Sequence, residues 1–239
     1  MQRGVFLRIL ITLYLGVVVS TTIAQQRINA GQAEFFTIDN GLSQSSVQCL
    51  YVDRRGFLWI GTQDGLNRYD GYSFKVYRNQ PSVENSILSN FIYSMSEDTT
   101  GHLWIGTQEG LSCYDPKTDM FTNYKFTDGA DFSLAAPEVY YVFVDHRNVV
   151  WAKTLETLDR LDPKTGRVAH FKHFNDPFNY SVGTNDFSIF EDSRENLWVG
   201  TKDGLNLFDR SRGIFKRYRS QKGAERSISS DRIKCIYED

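Results

Sequence analysis

The sequence predicts an all-β protein, a β-propeller built from four-stranded antiparallel blades, of which about four are present. Three observations carry this expectation. A motif centred on tryptophan recurs, with Trp59, Trp104, Trp151 and Trp198 spaced by 45 to 47 residues. The apolar residues around it alternate with period two and show no helical period of 3.6. Glycine and Asp-Gly or Asp-Pro steps punctuate each unit at matching places, as turns require.

In chain order, residues 1–24 are of a different kind from the rest. Arg3 and Arg8 precede an apolar run from Ile9 to Val19, and "STTIAQQ" follows with Thr22 and Ala24 at the −3 and −1 places. This is the pattern of a secretory signal peptide cleaved after Ala24, and the run is short for a membrane span of about 20 residues. Residues 25–239 are then a partial propeller sensor domain, with units near 47–90, 91–138, 139–186 and 187–230 and the start of a fifth at 231–239. "AEFFTIDN" (Ala33–Asn40) matches the fourth strand of later units and is expected to be an outer strand without its own blade.

The first unit shows the reading of all four. "VQCLYV" (Val47–Val52) alternates and leads to a turn at "DRRG". "FLWIGT" is apolar and aromatic, "GLNRYD" follows a tight turn at Gln63–Asp64, and "YSFKVYR" closes the unit. A lone blade cannot bury both its faces, so Trp59, Trp104, Trp151 and Trp198 are read as wedges between stacked sheets. Gly61, Gly106 and Gly200 belong to the same structural motif, where a small residue permits close approach. The third unit departs from the pattern, with Val150, Lys153 and Thr157 at the places of the leucine before Trp and the two glycines.

Composition excludes several roles. The formal net charge is −2, with no basic run or stripe, which argues against nucleic acid as a partner of this segment. Three widely spaced cysteines (Cys49, Cys113, Cys235) do not make a disulfide framework and are read as buried free thiols. Of the four histidines, His170 and His173 form H-x-x-H, but residues three apart on a strand face opposite ways, so no shared metal is expected. No phosphate-binding loop or nucleophile elbow occurs, so no catalytic residue, metal or cofactor is assigned.

The motif D-x-x-G-x-L-W-I-G-T-x-x-G-L-x-x-Y-D, carried by Asp53 to Asp70, Gly101 to Asp115 and Leu197 to Asp209, resembles the two-component regulator propeller repeat. The "GLS" at Gly41–Ser43 resembles the usual opening of such a sensor. The resemblance covers nearly the whole mature chain. It implies the periplasmic sensor of a hybrid two-component system histidine kinase: a seven-bladed ring, a homodimer, an oligosaccharide ligand, and a downstream membrane helix and kinase. On this reading the chain is the N-terminal fragment of a longer, exported inner-membrane protein, or a truncated gene product. It carries no enzyme activity itself and meets the membrane only through that downstream helix. The alternatives are a carbohydrate-active propeller enzyme, signalled by turnover, and a protein-binding propeller scaffold, signalled by capture of an envelope protein.

Antiparallel strands place the turn between the second and third strands at the same end as the long crossovers, and binding residues concentrate on loops held by a rigid scaffold. The candidate ligand-binding residues are therefore Gln63, Asp64, Gln108, Glu109, Leu155, Glu156, Lys202 and Asp203 from the short turns. Asn85, Asp131, Phe132, Phe178, Asn179 and Tyr180 join them from the crossovers. Carboxylates and amides suit sugar hydroxyls, and aromatics offer a face to a pyranose.

Overall fold

The tryptophan period does mark blades. The computed structural model describes residues 35–239 apart from 129, 131–132, 156, 173–186 and 225–226. Phe36–Asp239 make one unit, and its strands fall into four sheets of four.

The first blade is β1 (Val47–Val52), β2 (Leu58–Thr62), β3 (Leu66–Tyr69) and β4 (Phe74–Tyr77). The second is β5 (Ile92–Glu97), β6 (Leu103–Thr107), β7 (Gly110–Asp115) and β8 (Met120–Tyr124). The third is β9 (Tyr141–Val144), β10 (Val150–Lys153), β11 (Thr157–Leu161) and β12 (Val168–Lys172). The fourth is β13 (Ser188–Glu191), β14 (Leu197–Thr201), β15 (Gly204–Asp209) and β16 (Ile214–Tyr218). Every pairing is antiparallel between sequence neighbours. Each tryptophan lies on its blade's second strand.

The core is found at the seams between blades. Trp59 of the first blade packs with Ile87 of the crossover and with Ile92, Ile105, Tyr114 and Phe121 of the second blade. Trp104 packs with Val139, Val142 and Leu161 of the third, and Trp151 with Ile189, Val199 and Phe208 of the fourth. The aromatic that closes the second and fourth motifs meets the preceding tryptophan edge-on, Tyr114 at 5.0 Å from Trp59 and Phe208 at 4.8 Å from Trp151. Trp59, Trp104 and Trp151 are fully buried, whereas Trp198 is half-buried. On the first blade, Leu50 and Val52 face away from the second and are exposed, while Met95, at the place of Leu50 in the second blade, packs on the first.

Gly61, Gly106 and Gly200 lie where the next unit's chain crosses the blade. A Cβ on Gly106 would stand 2.5 Å from the Val139 carbonyl oxygen, and on Gly61 2.7 Å from Ile92. Close approach is thus the reason for glycine.

Two expectations need correction. The described part of "AEFFTIDN" is not a strand: Ile38–Asn40 form a 3-10 turn capped by Thr37, with Asn40 bonding back to the Thr37 N–H and Gly41 at φ 102°. The local capping box outcompetes ladder pairing. Cys113 is buried and Cys49 partly so, both thiols pushed up to about 12 mainly by burial, but Cys235 is exposed. His173 lies outside the described residues, among which no His, Cys, Asp and Glu group of three could hold a metal. No helix of the described residues is long and apolar enough to cross a membrane.

Candidate functional site

The end of the blades that carries the β2–β3 turns is built on one threonine per motif. Thr62 Oγ1 donates to the Gly65 carbonyl at 2.9 Å and accepts from Asp64 N at 3.0 Å. Thr107 makes the same pair of bonds with Gly110 and Glu109, and Thr201 with Gly204 and Asp203. In the third blade Thr154 bonds the Thr157 carbonyl and hydroxyl instead. All four threonines are buried. They hold the paired residues at the turn tips, Gln63–Asp64, Gln108–Glu109 and Lys202–Asp203, at equivalent places on one end.

The crossovers are fastened to the same end by a second repeated device. The residue two places after the motif's second glycine, or after Thr157 in the third blade, is polar and fully buried in every blade: Asn67, Ser112, Asp159 and Asn206. Asn67 Oδ1 accepts from Ser43 N at 2.8 Å, Ser112 Oγ from Leu88 N at 3.1 Å, and Asp159 Oδ2 from Ala135 N at 2.7 Å. The residue just before each donor, Leu42, Ile87 or Leu134, is driven into the core. A crossover serine closes the loop behind it: Ser86 bonds Gln80 N, Ser133 bonds Thr127 N, and Ser227 bonds Gln221 N. Each long loop among the described residues is thus tied down before any ligand arrives.

Gln63, Gln108 and Glu109 are exposed turn-tip residues. Asp64 is half-buried, and its carboxylate accepts from Arg78 at 3.2 Å and Asn90 at 3.4 Å. Asp203 receives both Arg217 and Arg219, so it is a held carboxylate rather than a free turn residue. Lys202 is half-buried beside it. Asn85 is not gathered with the turn tips. Its crossover runs down the outer edge of the second blade, where the Asn85 carbonyl accepts from Phe121 N at 3.0 Å and its amide reaches the Met120 sulfur at 3.4 Å. That edge and the crossover enclose a recess of about 600 Å³ lined by Gln80, Glu84, Asn85, Thr122 and Lys125 among others. Asp131, Phe132, Glu156, Phe178, Asn179 and Tyr180 lie outside the described residues.

Sequence reasoning missed the buried polar position of the third strand and the crossover serine. Both were legible as period-linked residues: N, S, D and N two places after the turn, and S before an aliphatic residue in each crossover. It also missed the seam at the opposite end. There Arg54 N donates to Glu97 Oε2 at 3.0 Å, His146 N to Glu191 Oε2 at 2.8 Å, and Ser193 N to Glu238 Oε2 at 2.7 Å. Thr99 N finds Asn148 Oδ1 instead at 2.9 Å, because Val144 stands at the glutamate place in the third blade.

The comparisons with known proteins agree with this architecture. The family model for the two component regulator propeller matches residues 41–64 and 86–109. Over 52 residues the chain is 56% identical to histidine kinase P4 of Formosa agariphila, which is 22% of this chain and 4% of that protein. The extracellular domain of BT3049 from B. thetaiotaomicron, described as a hybrid two component system, is similar over 80% of this chain and 33% of its own, at 25% identity and a TM-score of 0.59. The extracellular domain of BT4673 from the same organism, described as a one component system, shares the fold at 20% identity and a TM-score of 0.64, over 87% of this chain and 26% of its own. The chain therefore spans a small part of each of these relatives. The matched motifs, the repeated turn chemistry and the stacked four-stranded sheets lead to one conclusion: the chain is a propeller of four-stranded blades whose residues 41–64 and 86–109 match the two component regulator propeller repeat.

Proposed function

We propose that the chain is the ligand-sensing propeller of a two-component sensor, exported to the periplasm, which binds an oligosaccharide and works as a homodimer. A histidine kinase in the complete protein would receive the signal. The observation that supports this reading best is the fastening of the crossovers and turns at one end: Ser43, Leu88 and Ala135 bonded into the third strands, with Gln63, Gln108 and Glu109 held out beside them. Preorganised polar loops bind without a large ordering cost. The likeness to histidine kinase P4 and to the extracellular domain of BT3049 supports the sensor assignment.

The test is calorimetric titration of the complete ectodomain with a panel of neutral and acidic oligosaccharides, alongside Gln108→Ala and Glu109→Ala. Binding that falls in these variants with melting temperature unchanged supports the reading. Loss through Arg55→Ala or Lys164→Ala at the opposite end, with the turn variants unaffected, overturns the choice of face. No saccharide binding overturns the ligand class.

A further inference from the structure

The recess of about 600 Å³ beside β8 is shaped by the first crossover, "RNQPSVENS" from Arg78 to Ser86. Pro81 fixes its own φ and sets a tight turn, in which Val83 N donates to the Gln80 carbonyl at 2.8 Å. A second turn follows at once, with Ser86 N on the Val83 carbonyl at 3.1 Å. The tip, Pro81 to Glu84, is exposed, and the chain rejoins β8 where the Asn85 carbonyl accepts from Phe121 N. The Asn123 amide then donates to the Ser86 carbonyl at 2.9 Å. At the base, the Asn79 amide donates to the Ile87 and Leu88 carbonyls, both at 2.9 Å. Both walls of the recess are thus fixed in advance, which spares an occupant the cost of ordering them.

The lining selects the occupant. Most of its residues carry neutral amides or hydroxyls, and its one carboxylate, Glu84, is matched by its one ammonium, Lys125. Such a surface suits a ligand with many hydroxyls and no net charge. The Asn85 amide has only the Met120 thioether sulfur as a printed-out partner in space, at 3.4 Å, and sulfur is a weaker acceptor than a hydroxyl oxygen. Pro81 and Val83 add apolar carbons to the wall, against which the C–H face of a ring can leave water. The volume falls within the range of about 300–1,000 Å³ typical of small-molecule sites.

β8 is the outer strand of its blade, and an open edge invites an added strand. Here the crossover itself stands on that edge, because the Asn85 carbonyl holds Phe121 N and the Asn123 amide holds Ser86. A small molecule therefore fits the place better than a peptide strand.

We infer that this recess binds a short neutral saccharide, about the size of a disaccharide, through the Asn85 amide and the Thr122 hydroxyl, with Pro81 and Val83 against the ring. Resting on the saccharide-sensing reading above, this gives the sensor a contact apart from the turn tips and a ligand class without charge.

The experiment is calorimetric titration of the complete ectodomain with maltose, cellobiose and mannobiose as neutral probes, and with digalacturonate and the glucosamine disaccharide as charged ones. A neutral disaccharide is expected to bind about tenfold or more tightly than either charged one. Asn85→Ala removes the amide but keeps the carbonyl tie, and should weaken binding about three- to tenfold, the scale of one neutral hydrogen bond. Thr122→Trp fills the recess from the β8 wall, and Ser82→Trp fills it from the loop wall, outside any strand. Each should abolish binding with the melting temperature unchanged. Undiminished affinity in Asn85→Ala, or in either filled variant that melts like wild type, overturns the inference, as does a charged disaccharide that binds as tightly as the neutral ones. If saccharides bind and only the turn variant Gln108→Ala weakens them, this inference alone fails; if no saccharide binds, the sensing reading fails with it.

Discussion

Trp59 Nε1 donates to Asp53 Oδ2 at 2.9 Å, from one side of a turn to the other. The same bond joins Trp104 to Asp98, Trp151 to Asp145 and Trp198 to Asp192. In each case the aspartate's other oxygen accepts backbone N–H groups two and four residues on, such as Arg55 and Phe57 from Asp53. One carboxylate thus closes the turn and fixes the rotamer of the residue that fills the seam.

Trp104→Ala should cost about 3–5 kcal/mol, as expected for emptying a buried aromatic site. Trp104→Phe keeps most of the volume but leaves Asp98 Oδ2 without its indole, and should cost about 1–3 kcal/mol. Urea unfolding of the two variants separates packing from the tether.

The tether also predicts an acid limit. Burial opposes the charge on Asp53, Asp98 and Asp192, but the indole and turn donors outweigh it, and all three carboxyls sit below their usual range, Asp192 at about 2. A carboxyl depressed in the folded state stabilises above its unfolded pKa of about 4 and loses that contribution as pH falls toward the folded value. Melting temperature should therefore be level near neutrality and decline between about pH 4 and pH 2. Asp192→Asn should shrink that decline, measured against wild type in the same buffers.

Gly106→Ala and Gly110→Ala should both destabilise by about 1–3 kcal/mol through overpacking. The new Cβ would stand 2.5 Å from the Val139 carbonyl oxygen in the first and 2.4 Å from the Tyr124 carbonyl oxygen in the second. At Gly110 the backbone at φ 141° adds strain. Gly71→Ala meets nothing within 4 Å and pays only for its positive φ. Thermal melts should rank Gly71→Ala as the mildest of the three.

Glu97→Ala should cost about 1–3 kcal/mol, since it leaves Arg54 N without its acceptor and removes the carboxylate from the Arg54 guanidinium, which keeps only the Asp98 and Thr99 carbonyls across the seam. Val52→Ala, at the corresponding place on the first blade, is exposed and should shift stability within about 0.5 kcal/mol. Equal effects in a denaturant titration would remove Glu97 from the account of the seam.

Blade number, strand order and the wedge role of the tryptophans were legible because a 45–47-residue period and alternation both point to stacked sheets. Other parts were hidden. "FFTIDN" reads like the later fourth strands, but Thr37 and Asn40 satisfy each other locally before any ladder can form. Asp203 reads as a solvated turn tip, yet Arg217 of the fourth strand and Arg219 just beyond it, 14 and 16 residues on, reach back to it. The partners of Asn67, Ser112 and Asp159 lie 24 residues away on an incoming loop, a distance that no local pattern encodes. Of the candidate residues, Gln63, Gln108 and Glu109 stand exposed at the turn tips, whereas Asn85 runs along an outer edge.

The crossovers have a mechanical consequence. The first two are anchored on the third strand of the blade they enter, Leu88 on Ser112 and Ala135 on Asp159, while their first residues belong to the blade they leave. A pull on either of these loops is therefore shared by two sheets at once. Force applied at a turn tip has no single blade to deform; it travels as a small relative rotation from sheet to sheet, like torque through a gear train, and the stiffness of each seam sets how far it goes.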